Sequence, residues 1–175
     1  MQIDLKRTEA LIRRRWKEDG YVQLLPEEQD YIVLWWLQVE VDNGGFEQYF
    51  FNSAGDGARQ ANTALVRLGA TRSAQILEEA LQVIDPAGGY NPDRILRQTA
   101  LATLPEGAFD TVTDHFSDRE DDFVAMALDS AATALSAIGL EEEVCALPQT
   151  MCPNCSTPLR TPKARQCRPC GHDWH

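Results

Sequence analysis

Four cysteines, Cys152, Cys155, Cys167 and Cys170, form two CxxC pairs with eleven residues between them, the most specific chemical signal in the chain. Thiolates bind borderline and soft metals, and each pair can fill two corners of a tetrahedron while the intervening chain returns as a hairpin. Zn²⁺ suits four thiolates without redox chemistry, so one Zn²⁺ per chain is expected. A closed shell of four sulfurs leaves no position for water or substrate, which points to a structural ion. Two alternatives stay open: His172 or His175 in place of one cysteine, and an iron centre or dithiol redox pair. Residues 151–175 hold too little apolar surface to fold unaided, so the metal would supply their folding free energy. Cys145 stands outside the pattern and reads as a small thiol without a role.

Arg160, Lys163, Arg165 and Arg168 make this segment basic. Set against Asp173 they leave it at +3, so with a net charge of −11 for the whole chain, residues 1–150 carry −14 from 12 basic and 26 acidic residues. The body therefore repels a phosphate backbone, and any nucleic-acid contact belongs to the four cations of the tail; charges solvated on a small domain are the plain alternative. No apolar run is long enough to span a membrane, and the start, MQIDLKRTEALIRRRWKEDG, has no signal-type apolar stretch. A cytoplasmic protein is expected, in keeping with paired cysteines that read as metal ligands rather than disulfides.

Helices must position whatever this protein presents. Residues 4–18 set Leu11, Ile12 and Trp16 among charges, and Gly20 stops them. The stretch LPEEQDYIVLWWLQVEVDNGG opens on Pro26 with Glu27, Glu28 and Asp30 at the positive end of the dipole, and Asn43-Gly44-Gly45 is expected to end it. Its apolar residues cover almost the whole circumference, which predicts the buried centre of the core. A short turn then carries Phe46, Tyr49, Phe50 and Phe51 inward, Asp56 and Thr71 are expected to cap the next two helices, and Asn91-Pro92 to start another through Ile95, Leu96 and Leu101. Residues 106–116 place Phe109, Val112 and Phe116 on one side, and Ser117-Asp-Arg-Glu120 reads as a capping box before a last helix. The fold class is all-α: a bundle-like body of about seven short helices over 1–143, a linker at 144–150, and a small zinc ribbon at 151–175.

Acidic residues cluster at Asp110, Asp114, Asp118, Glu120, Asp121 and Asp122, with Glu106 before them. Those from Asp118 onward suit the first turn of the last helix. Glu106, Asp110 and Asp114 recur every four residues, a stripe of like charge that costs stability on a helix and so invites a functional use. A row of carboxylates on a rigid surface can imitate a duplex, which carries a charge about every 1.7 Å along its axis. Glu106, Asp110, Asp114, Asp118, Asp121 and Asp122 are the candidate partner-binding surface.

Two resemblances add to this. Cys152-Pro-Asn-Cys155 and Cys167-Arg-Pro-Cys170-Gly171 resemble the knuckles of rubredoxin-like zinc ribbons. Residues 26–56 resemble a bacterial family of small all-helical proteins named for a DNA-mimic member, through Trp35, Asn43-Gly44-Gly45-Phe46, Gln48-Tyr49-Phe50 and Asn52. That resemblance implies an acidic, dimeric helical domain that engages a DNA-binding protein, such as a transcription factor, in place of DNA. Asn43, Gln48, Asn52 and Asp56 also group polar atoms around two glycines, so they either line a ligand cleft or act as caps and turns. His115 has no visible partner, and no Walker loop, GxGxxG, GxSxG or HExxH occurs, so no enzyme is expected.

Overall fold

The computed structural model describes residues 5–140. Those residues form seven α-helices and no strand: α1 Leu5–Asp19, α2 Pro26–Phe51, α3 Ala58–Leu68, α4 Thr71–Ile84, α5 Arg94–Leu101, α6 Asp110–Ser117 and α7 Phe123–Ala137. Short 3-10 turns at Tyr21–Gln23 and Ser53–Gly57 precede α2 and α3. The all-α body is thus the observed architecture. The linker 144–150, the four cysteines and the basic tail residues lie outside the described residues.

α2 is the axis of the core and packs against α3, α5, α6 and α7. Leu34, Leu37, Phe46, Tyr49 and Phe50 on it are fully buried, as its nearly continuous apolar circumference requires. Its start is tied down electrostatically. The buried Glu28 carboxylate accepts from the Leu25 backbone N–H at 2.8 Å and from the Arg15 guanidinium at 2.9 and 3.2 Å, which docks α1 on α2 while satisfying the charge. Asp30, also buried, meets Arg67 of α3 at 3.0 Å.

Asn43-Gly44-Gly45 does not end this helix; it kinks it. Gly45 takes φ 72° and ψ −176°, a region open essentially to glycine alone, after which the helix resumes to Phe51. The kink removes intrahelical partners, and the Phe46 N–H is answered instead by Thr113 Oγ1 of α6 at 3.3 Å. The redirected end carries an aromatic chain into the core: Phe46 meets Phe116 edge-on at 5.3 Å, Phe50 meets Phe109 at 5.6 Å and Tyr90 at 5.7 Å, and Phe116 meets Phe123 at 5.8 Å. Phe51, expected inward, is exposed, because the turn that buries Phe46, Tyr49 and Phe50 points it away.

The caps also differ from expectation. The N-cap residues of α3 and α4, Gly57 and Ala70, supply no side-chain cap, and α5 is capped by Asp93, whose carboxylate accepts from the Ile95 and Leu96 N–H groups. Asn91 instead holds the Asp93 N–H at 2.8 Å. Ser117 closes α6, its hydroxyl donating to the Thr113 carbonyl, and the cap of α7 is Asp122, accepting from Ala125 N–H at 3.0 Å.

Candidate functional site

The end of the stretch Asn43 to Asp56, from Phe50 on, meets around one side chain absent from the sequence-based candidates, Arg97. It lies on α5 and is 2% exposed. Its Nε donates to the Phe50 carbonyl at 2.9 Å, Nη2 to the Asn52 carbonyl at 2.9 Å and the Asp56 carboxylate at 2.6 Å, and Nη1 to the Pro92 carbonyl. Two of these acceptors, the Phe50 and Asn52 carbonyls, lie at the C-terminal end of α2, where a helix leaves carbonyls unsatisfied, and the third, of Pro92, lies in the loop before α5. Tyr90 donates its hydroxyl to the Gly55 carbonyl at 2.6 Å in the same knot. Gly55 has to be glycine there: a Cβ would sit 2.8 Å from the Tyr49 carbonyl oxygen and 3.1 Å from Arg97 Nε.

The amides are engaged as well. Gln48 and Asn52 both donate to one carboxylate oxygen of Glu40, each at 2.8 Å, across the kink. Of the polar cluster, Gln48, Asn52 and Asp56 thus brace the end of α2, and Asn43 stands exposed at the kink. Burial pushes the Tyr49 and Tyr90 phenols up, with Asp56 adding to the effect and Arg97 opposing it, so both stay neutral. The cluster holds the end of α2 against α5. A signal for Arg97 existed: Ala100, Leu101 and Leu104 pack on the core, and Arg97 falls three, four and seven residues before them on the same helical stripe.

The acidic residues sort differently from their order in the chain. Asp110 and Asp114 are exposed on α6, but Glu106 precedes the helix, so the three do not form one helical stripe. The kink instead brings Glu47 of α2 beside Asp110 and Asp114, where they line a cleft of about 330 Å³. Glu47 and Glu106 border an adjoining cleft of about 310 Å³. A third, of about 460 Å³, is lined by Asp42, Glu120, Asp121 and Asp122. Of the residues lining these three clefts, eight are acidic and Arg119 alone is basic. Arg119 is mostly withdrawn: its guanidinium stacks over Phe116 at 4.1 Å, donates to the Phe116 carbonyl at 2.7 Å and stands 3.6 Å from Asp42.

Asp118 through Asp122 precede α7 rather than forming its first turn. Asp118 is exposed. Asp121, a candidate surface residue, reaches across to α4, accepting from both the hydroxyl and the N–H of Ser73, and so caps a neighbouring helix. Asp42 lies on a helix expected to be central core and Glu47 in a turn expected to matter for its inward aromatics; only the packing of α6 and the loop before α7 against the far half of α2 shows their company.

Together these features define an acidic all-α domain with a braced internal motif and a carboxylate-lined face. The chain belongs to the DMP19-like protein family, whose model matches residues 22–135. No curated protein and no solved structure matches it. No helix among the described residues is long and apolar enough to cross a membrane.

Proposed function

We propose that this protein is a non-enzymatic protein-binding module, a DNA mimic whose acidic face engages the DNA-contacting surface of a DNA-binding regulator. The observation that carries this is the convergence of Asp42, Glu47, Glu106, Asp110, Asp114 and Glu120 on neighbouring clefts in a member of this family, with Arg119 tucked beneath them. Fixed carboxylates on packed helices present charge to a cationic surface without first being ordered, which favours fast, salt-sensitive association. The partner is a basic protein, and the family resemblance adds a homodimer.

The tail completes the proposal. Cys152, Cys155, Cys167 and Cys170 hold one structural Zn²⁺, a donor set of four thiolates that fits this ion. Bound there, the ion supplies folding free energy to residues 151–175, and the location is cytoplasmic.

The test is a crosslinking pull-down with the intact chain, followed by affinity measurement against any captured DNA-binding protein. Lysine at Glu47, Asp110 and Asp114 together should weaken that complex by about tenfold or more, and rising salt should weaken it further. Captured partners that include no DNA-binding protein, or binding indifferent to salt, would remove the mimic reading. Salt-dependent binding of nucleic acid that is lost with Arg160, Lys163, Arg165 and Arg168 would assign the function to the tail instead.

A further inference from the structure

A cleft of about 550 Å³ opens between the end of α1, the middle of α2, the Ser53–Gly57 turn and α3. It faces away from the acidic side: at about 100° per residue, Val33 and Trp36 of this cleft lie across α2 from Gln38 and Asp42 of the carboxylate-lined one. Its volume is in the range of clefts that hold a ligand. The walls carry Trp16, Trp36 and Tyr21, and the polar groups at hand are Ser53, Asp56 and Gln60.

The valences left over at these side chains state what would fit. Asp56 gives one carboxylate oxygen to Arg97 and is 53% exposed, so its other oxygen faces outward. Gln60 donates its amide N–H to the Tyr21 hydroxyl at 2.8 Å, which leaves the Gln60 carbonyl oxygen as an acceptor. The indole N–H groups of Trp16 and Trp36 make no hydrogen bond within the described residues, nor does the Ser53 hydroxyl. Trp35 next door already carries a cation, the Arg13 guanidinium 4.6 Å from its ring centroid; Trp16 and Trp36 carry none among the described residues.

We propose that this cleft binds an extended peptide segment presenting an arginine. A guanidinium is a planar fork of donors that stacks on indole while pointing two N–H groups at the Asp56 and Gln60 acceptors, which an ammonium cannot match. The peptide's own carbonyls take over the indole N–H donors, which a bare cation would leave to water. The site is separate from the acidic face and stands whether or not that face imitates DNA.

The experiment is an NMR titration of the ¹⁵N-labelled full chain with acetyl-Ala-Arg-Ala-amide. Controls are the same peptide with citrulline, the same peptide with lysine, and free arginine amide. Saturable shifts of the Trp16 and Trp36 indole N–H signals are expected, with affinity about tenfold lower for the citrulline peptide and several-fold lower for the other two. Gln60→Ala with Ser53→Ala should weaken binding without touching the Arg97 knot. The lysine triple variant at Glu47, Asp110 and Asp114 should leave it unchanged, so this proposal fails or stands apart from the one above. No saturable shift, equal affinity for the citrulline or lysine peptide, or shifts centred on the Asp110 and Asp114 amides would overturn it.

Discussion

Arg97 and Asp30 show how differently two buried charges can be held. Arg97 is answered by three backbone carbonyls and one carboxylate, so removing it strands acceptors on three segments at once. Arg97→Met is expected to cost about 2–4 kcal/mol in urea unfolding, the scale of leaving backbone carbonyls without their charged donor. Asp30 has the half-exposed Arg67 as its partner, and burial holds its carboxyl above the ordinary 3.8, with Arg67 opposing and Glu27 adding. A raised native value means that the folded chain holds this proton more tightly than the unfolded chain. The stability it contributes is full below pH 3.8 and is lost as pH rises through the native value. The stability of wild type relative to Asp30→Asn should therefore fall as pH is raised from 3.8 toward neutrality, measured by urea unfolding at several pH values. A gap that stays flat would contradict the assignment.

At the scale of elements, the ends of helices are where local signals gave way. Ser117 to Glu120 has the spacing of a capping box, yet Ser117 finishes α6 and Asp122 caps α7. The competing use of Ser117 was a local bond back to the Thr113 carbonyl, available because α6 runs directly into the loop. Asp121 caps α4 from a distance of 48 residues in sequence, something no window of neighbouring residues could reveal. Asp121→Ala is expected to destabilise by about 1 kcal/mol, as loss of an N-terminal cap does. Asp118→Ala, on an exposed side chain, should stay within about 0.5 kcal/mol. Equal losses from the two would remove the distinction between a bracing and a surface carboxylate. The glycine pair, expected to stop the helix, only kinks it, since Thr113 and Phe116 on α6 supply what lets the helix resume.

For the whole molecule, the charge imbalance between residues 1–150 at −14 and residues 151–175 at +3 follows from composition. Metal analysis of the intact protein should find about one Zn²⁺ per chain, by the four-thiolate logic. Cys152→Ser or Cys170→Ser should abolish that metal while leaving the helical circular dichroism of the body intact; loss of both together would make the tail part of the main core. The all-α class, the central place of the helix that starts at Pro26 and the burial of Phe46, Tyr49 and Phe50 were legible in advance, because apolar periodicity and near-complete apolar coverage are properties of consecutive residues. Ile95 and Leu96 show the limit: both were assigned to the apolar run of their helix, and both face solvent while Arg97 beside them is buried. By itself, then, the sequence determined which segments are helical and where the excess charge lies. Only the tertiary structure decided which carboxylates brace the fold and which stand in company on its surface. Hydrogen-bond partners and neighbouring charges are set by distance in space, and the kink at Gly45 brings Glu47 to Asp110 and Asp114 across more than sixty residues of chain.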